Sequence, residues 1–152
     1  MSYLKEVQIN KTKKRVYLLD AEYNVFAELP MSTDYYEGSN AAGLAHGNAA
    51  DGLYRETVWC DIDWPNEDDL SAAYGYAYLN IDGRGRALHG GGSNLGWDGA
   101  MEPFQQLLPT RGCFRMYNAD VWWLCQHWRR SVAAGIDPVV HVVSKRKIIT
   151  RL

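Results

Sequence analysis

The sequence predicts a mainly β domain whose helical minority is one long helix. Short runs of β-branched and aromatic residues recur along most of the chain, separated by turns rich in glycine, asparagine and aspartate. One stretch alone, between Asn118 and Gly135, has a convincing run of apolar residues at helical spacing. A length of 152 residues suits a single domain, residues 1–152, and 47% hydrophobic residues are enough to build its core.

The predicted strands are Lys5–Ile9, Arg15–Leu19, Val25–Leu29, Leu53–Ile62, Ala73–Ile81 and Pro138–Val143. Polar turns join the first three as a meander. Tyr74, Tyr76 and Tyr78 follow period two within one predicted strand, so they should share a face that is either core or the lining of a groove. Residues 32–51 are small, polar and rich in glycine, which predicts a long loop. His46 in that loop is either a second base or a solvated side chain.

The predicted helix has clear ends. Asn118 is a good N-cap, Asp120 suits the first turn, and Gly135 ends the helix. Its apolar face consists of Val121, Leu124, Cys125, Trp128 and Val132. Cys125 is therefore expected to be a buried, inert thiol.

Composition excludes several function classes. A net charge of −2 disfavours general nucleic-acid binding. No stretch approaches the roughly 20 apolar residues of a membrane span, so no membrane insertion is expected, and the first residues lack the apolar region of a secretory signal. We therefore expect synthesis in the cytoplasm.

No cofactor or metal is expected either. The 3 cysteines have no metal-ligand spacing. Asp61, Asp63, Glu67, Asp68 and Asp69 lack the ligand order of a calcium loop and predict a solvated acidic turn.

Two segments contain the parts of a cysteine nucleophile site: Leu88-His89-Gly90-Gly91-Gly92 and Thr110-Arg111-Gly112-Cys113-Phe114-Arg115. A cysteine attacks as its thiolate and needs a nearby base or positive charge. His89 can be that base, and the carbonyl of Gly90 can orient its imidazole. Gly112 permits a tight approach, backbone N–H groups around Cys113 can meet an oxyanion, and Arg115 can add charge there. Cys113 is therefore expected to be the most reactive of the cysteines.

These residues resemble the signature of the YkuD-type L,D-transpeptidases, which is His-Gly, a spacer, then Ser/Thr-His-Gly-Cys, an apolar residue and Arg. The matching positions are His89, Gly90, Thr110, Gly112, Cys113 and Arg115, with Phe114 as the apolar residue. Arg111 stands where the family usually has His. Since a guanidinium keeps its proton but pairs with carboxylates in a forked geometry, we assign Arg111 to holding a substrate carboxylate.

The resemblance implies a β-sandwich or barrel-like catalytic domain that acts on peptidoglycan stem peptides. The Cys113 thiolate would attack the carbonyl at the third, L-configured centre of a tetrapeptide and release D-alanine, leaving an acyl-enzyme. Gly112, Arg115, Arg111 and Thr110 would bind the substrate or its oxyanion. An amine would then give a crosslink or D-amino-acid exchange, and water would give L,D-carboxypeptidase activity; the sequence leaves these outcomes open.

The predicted substrate lies outside the cytoplasmic membrane, whereas no signal sequence is visible. The resemblance therefore implies action in the periplasm or cell wall after delivery, as an antibacterial effector or toxin exported by a secretion system, or as a bacteriophage protein. An immunity or delivery protein would then be a further partner.

Two other classes of function were compared with this one. The first is a catalytically inactive, transpeptidase-like module that binds peptidoglycan or a protein and lost turnover through Arg111. The second, a papain-like hydrolase, is disfavoured because its cysteine precedes its histidine in the chain.

Overall fold

The computed structural model describes residues 2–35, 48–62 and 70–149. The strands in these ranges are β1 (Glu6–Asn10), β2 (Arg15–Leu19), β3 (Val25–Ser32), β4 (Gly52–Tyr54), β5 (Trp59–Ile62), β6 (Ala77–Asn80), β7 (Ala87–His89), β8 (Phe114–Met116) and β9 (Val139–Val143). The α-helices in these ranges are α1 (Gly96–Ala100), which follows a 3-10 turn at Ser93–Leu95, and α2 (Asn118–Ala133). The predicted roles of His46 and of the acidic turn over 63–69 lie outside the described residues.

All nine described strands belong to one sheet, in the order β4-β9-β1-β2-β3-β8-β7-β6-β5, which curls into a half-barrel. β3 joins its two halves, because its first part pairs with β2 while Met31 and Ser32 pair with β8. The pairs β1–β9 and β7–β8 are parallel, and the other pairs are antiparallel. The mainly β prediction is confirmed, and the sandwich or barrel expectation takes the form of a single curled sheet.

The helical part differs from the prediction of one long helix. The described residues contain two α-helices, of five residues in α1 and sixteen in α2. α2 covers the predicted stretch and ends just before Gly135, which has a φ of 81°. Val132, predicted on its apolar face, is instead 55% exposed because the core ends at Trp128. The five-residue α1 was missed because the glycines around it give no helical pattern.

Two strand predictions were wrong in extent. The stretch Leu53–Ile62 is interrupted by a turn at Glu56 and Thr57, and its two parts lie at opposite edges of the sheet as β4 and β5. The stretch Ala73–Ile81 becomes a strand only at Ala77. A turn precedes it, in which the N–H of Gly75 donates to the carbonyl of Ser71 at 2.7 Å.

In the second half of the sheet, one face packs into the core against α2 and the other does not. Leu79, Leu88 and Phe114 are fully buried and share a core cluster with Leu124 and Cys125 of α2. Side chains alternate along a strand, so the neighbours of these residues on β6, β7 and β8 lie on the face away from α2. That second face holds the predicted nucleophile and base. No helix in the described part of the chain is long and apolar enough to cross a membrane.

Candidate active site

The structure places His89 and Cys113 on neighbouring parallel strands. His89 is the last residue of β7 and pairs with Arg115 of β8, while Leu88 pairs with Phe114. Cys113, one residue before β8, is therefore level with Ala87. Because side chains two residues apart share a face, Cys113, Arg115 and His89 lie together, opposite the α2 core.

His89 is buried and held by its main-chain neighbour. Its Nδ1 lies 2.8 Å from the carbonyl oxygen of Gly90, the orienting contact predicted from the sequence. A carbonyl can only accept, so Nδ1 carries the proton and Nε2 keeps its lone pair. The pKa of His89 is lowered to about 4, mainly by burial and also by the positive charge of Arg115, while the bond to Gly90 acts in the opposite direction. The imidazole is therefore neutral near pH 7.

The glycines after His89 serve packing as well as access. The N–H of Gly91 donates to Oδ1 of Asn118 at 2.8 Å, and Nε2 of Gln105 donates to the carbonyl of Gly91 at 3.2 Å. A Cβ added at Gly90 would lie 2.0 Å from Oδ1 of Asn118, so no larger residue fits without movement. These glycines were predicted to allow a ligand to approach, and the sequence did not reveal that Asn118, the first residue of α2, occupies the space beside Gly90.

Cys113 rests as a protonated thiol. Its side chain is buried, and Sγ donates to the carbonyl of Gly85 at 3.4 Å. Burial raises the pKa of the Cys113 thiol, although the N–H of Ala87 and the positive charge of Arg115 act in the opposite direction. The resting site therefore holds a neutral thiol and a neutral imidazole on one face of the sheet, not an ion pair.

The predicted reactivity of Cys113 stays a prediction, and the resting structure draws attention to a second thiol, Cys60. Cys60 is half-buried, whereas Cys113 and Cys125 are buried. A hydrogen bond from Cys125 lowers the pKa of Cys60 to about 7, so a large share of Cys60 is thiolate at neutral pH. Neither effect is visible in the sequence, because residues 60 and 125 meet only in the fold.

Thr110 and Gly112 shape the turn that precedes the nucleophile. The Thr110 hydroxyl accepts from the N–H of Gly112 at 2.9 Å and donates to the carbonyl of Cys113 at 2.7 Å. Gly112 has a φ of 126°, a conformation that favours glycine, and its carbonyl accepts from Nδ2 of Asn48 at 3.0 Å. Thr110 was predicted to contact substrate or oxyanion, yet in the structure its hydroxyl holds the turn.

The two arginines of the motif have different positions. Arg115 is buried and donates to the carbonyls of Leu108 at 3.2 Å, Pro109 at 3.4 Å and Ala73 at 3.4 Å. Arg115 therefore links the segments around the face that bears His89 and Cys113. Its positive charge lowers the pKa of both groups. Arg111 is exposed, which leaves its guanidinium accessible to a ligand carboxylate.

Three aromatic side chains, two of which contact His89, are named here the aromatic row: Trp59, Tyr74 and Tyr78. Tyr78 stacks on the imidazole at 6.1 Å between ring centroids, and Tyr74 meets the same imidazole edge-on at 4.8 Å. Trp59 contacts Tyr78 at 5.3 Å and is 50% exposed. The pKa of Tyr78 is raised to about 12, chiefly by burial, so the phenol stays protonated.

The alternation of Tyr74, Tyr76 and Tyr78 along one predicted strand predicts that all three share a face, which is either core or the lining of a groove. Tyr74 and Tyr78 do line the groove side beside His89. Tyr76 lies elsewhere, because it precedes β6 and its buried hydroxyl donates to the carbonyl of Met101 at 2.6 Å. Trp59 was not predicted at the site, since its proximity depends on the pairing of β5 with β6. Among the described residues, no group of three or more His, Cys, Asp or Glu side chains could hold a metal ion.

Scans of the sequence against protein-family models and against curated proteins give no match. Solved structures do match. The helical cell shape determining protein Pgp2 from Campylobacter jejuni aligns with a TM-score of 0.56 at 19% identity, over 99% of this chain and 51% of that chain. Bd1075 of Bdellovibrio bacteriovorus aligns with a TM-score of 0.53 at 11% identity, also over 99% of this chain and 51% of that one.

Mycobacterium tuberculosis L,D-transpeptidase 1 aligns with a TM-score of 0.48 at 9% identity, over 94% of this chain and 62% of that chain. The chain thus spans about half to three fifths of the length of the structures it matches. At these identities the likeness concerns the fold. The chain shares the fold of the matching domains of Pgp2 and Bd1075.

Proposed function

We propose that this protein is a cysteine acyltransferase of the L,D-transpeptidase type, acting on peptidoglycan tetrapeptide stems. The observation that carries the proposal is the neutral His89, whose Nδ1 is anchored 2.8 Å from the Gly90 carbonyl on the face that also bears Cys113. The agreement of His89, Gly90, Thr110, Gly112, Cys113 and Arg115 with the family signature supports it. The fold shared with the cell-shape protein Pgp2 agrees with a role at the cell wall.

The neutral resting state fits a general-base mechanism. Rotation of the Cys113 side chain away from the Gly85 carbonyl would bring the thiol proton toward Nε2 of His89. As Sγ attacks the amide carbonyl carbon, His89 takes that proton, and it then gives a proton to the departing amine of D-alanine as the C–N bond breaks. Water or an acceptor amine next attacks the thioester, and the Cys113 thiol leaves with a proton.

Neighbouring groups would then bind the substrate. Arg111 is exposed and suited to pair with the terminal carboxylate of the stem. Main-chain N–H groups near Cys113 would receive the developing oxyanion, and the turn held by Thr110 fixes their direction. The aromatic row offers an exposed apolar surface beside the imidazole, against which the stem or its sugar can pack.

A non-enzymatic peptidoglycan binder is the second candidate. It is favoured by the raised pKa of the Cys113 thiol and by the thiol's hydrogen bond to Gly85, which describe an unreactive resting site. The exposed Trp59 and the exposed Arg111 would serve binding equally well without turnover.

Product analysis distinguishes the acyltransferase from the non-enzymatic binder. Purified protein is incubated with disaccharide-tetrapeptide, with and without a second D-amino acid, and the products are read by mass spectrometry. We expect loss or replacement of the terminal D-alanine, or a dimer joined between L-centred carbons. Arg111→Ala should mainly raise KM, whereas Cys113→Ala should abolish turnover.

Cys60→Ser is the matched control, since it removes the more exposed thiol and leaves the proposed site intact. It should retain full activity. Unchanged tetrapeptide that is nevertheless retained on a column of immobilised protein would establish the binder instead.

Where the protein acts stays a prediction. Because the proposed substrate lies in the cell wall, we propose action in the periplasm, after delivery by a secretion system or a bacteriophage. An immunity or delivery protein is part of the same proposal.

A further inference from the structure

A second pair of thiols lies on the other side of the sheet from the candidate active site. Cys60 of β5 pairs in register with Leu79, a core residue, and therefore points toward α2. Cys125 of α2 is fully buried in that same core. The two side chains are near enough for each thiol to influence the pKa of the other, between the strand and the helix.

A cation completes the cluster. Arg129 lies one helical turn after Cys125, and its Nη2 donates to the carbonyl of Cys60 at 3.3 Å. Its guanidinium also lowers the pKa of the Cys60 thiol. Cys60 is only half-buried, so a small molecule in solvent can reach it, while Cys125 is fully buried.

The two sulfurs have different acidities. The pKa of Cys60 is lowered to about 7 in total. Cys125 is the largest cause, Arg129 acts in the same direction, and burial and Asp61 act against them. Burial and the neighbouring Cys60 raise the pKa of Cys125. An accessible thiolate next to a protonated, buried thiol is the arrangement of an attacking cysteine and a resolving cysteine.

We propose that Cys60 and Cys125 form a redox-active dithiol that closes to a disulfide between β5 and α2 by exchange with a small-molecule disulfide. The Cys60 thiolate attacks one sulfur of the small disulfide, forms a mixed disulfide and releases one thiolate. The sulfur of Cys125 then loses its proton and attacks the Cys60 sulfur, which releases the second thiolate. The two protein thiols are thereby oxidised, and the small disulfide is reduced to two thiols.

The dithiol has a structural consequence for the opposite face. Among the described strands, β5 lies at the end of the sheet and pairs with β6 alone. It carries Trp59 of the aromatic row. A covalent link from its next residue to α2 would fix that edge, so the oxidised protein should unfold at a higher temperature than the reduced one. The proposal stands independently of the acyltransferase function.

The test is incubation of the full chain with oxidised glutathione at pH 7, followed by intact mass and peptide mapping. We expect the wild-type protein to lose two hydrogens and to yield a peptide pair linked through Cys60 and Cys125, with Cys113 still free. Cys125→Ala should stop at a mixed disulfide on Cys60, and Cys60→Ala should not react at this pair. A wild-type protein that keeps glutathione on Cys60, or that reacts first at Cys113, would overturn the proposal.

Arg129 supplies a test that leaves both cysteines in place. Arg129→Gln, at an exposed helix position, should slow the first step by about threefold or more at pH 7, and Arg129→Lys should restore most of that loss. An equal rate in wild type and Arg129→Gln would show that the guanidinium does not activate Cys60 and would contradict the cluster as described.

Discussion

At His89, burial and one hydrogen bond together determine both tautomer and charge. The carbonyl of Gly90 fixes the proton on Nδ1, and the loss of water around the ring disfavours a second proton. A histidine in this state has a free lone pair on Nε2 but does not hold a thiolate as an ion pair. The sequence could propose the base and its orienting carbonyl, because both lie in one dipeptide. It could not reveal the burial that determines the charge.

The buried imidazole predicts a loss of stability in acid. The pKa of His89 falls from 6.5 to about 4 on folding, so the unfolded chain takes up a proton across that window while the folded protein does not. Its contribution is complete above pH 6.5 and disappears as the pH falls toward 4. That loss should be about 3 kcal/mol.

Urea unfolding of wild type and His89→Gln between pH 7 and pH 4 measures this loss of unfolding free energy. The wild type should lose more unfolding free energy over this range than the variant does. An NMR titration should show one imidazole with a midpoint near 4 that is missing from His89→Gln. Equal pH dependence of the two proteins would show that His89 is not buried in the neutral form.

At the scale of elements, the start of α2 anchors the loop that holds His89. Asn118 was predicted to cap the helix, but the N-cap residue is Tyr117, and no side chain caps there. Asn118 is fully buried instead, with Nδ2 donating to the carbonyls of Ala100 and Glu102, each at 2.7 Å, in addition to its bond from Gly91. One amide therefore joins α2, α1 and the glycine loop.

Removing the side-chain amide of Asn118 should lower the free energy of unfolding. Asn118→Ala leaves an N–H and two carbonyls without their present partners, which predicts a loss on the order of 3 kcal/mol or more in the free energy of unfolding. Gln126→Ala, at an exposed position of the same helix, should change it by less than about 0.5 kcal/mol. Denaturant titration gives both values, and similar losses in the two variants would contradict the anchoring role.

Across the whole molecule, the sequence was most informative where the signal is local. β1, β2, β3, β9 and α2 follow the predicted runs closely, since each is a periodic stretch bounded by turn residues. The stretch Leu53–Ile62 is predicted as one strand but contains a turn, which separates β4 from β5. The cluster of Cys60 with Cys125 and the position of Trp59 depend on pairings between distant segments, for which a single sequence carries no pattern.

In the candidate site, too, the local pattern could be predicted from the sequence, whereas the contacts between distant segments could not. The order of His89, Gly90, Gly112, Cys113 and Arg115 was enough to propose a nucleophile, its base and the residue that orients the base. The parallel pairing of β7 with β8 is what gives these residues a common face. Their environment, which includes the thiol's bond to Gly85 and the aromatic row, required the fold.

The most direct test of the acyltransferase proposal is detection of the acyl-enzyme itself. Protein is mixed with disaccharide-tetrapeptide in slight excess, quenched in acid within a single turnover, and analysed by intact mass and peptide mapping. We expect an adduct equal to the substrate minus D-alanine on the peptide that contains Cys113. It should be absent from Cys113→Ala, slower to form in His89→Ala, and unchanged in Cys60→Ser. An adduct on Cys60, or none on any cysteine while substrate still binds, would contradict the account.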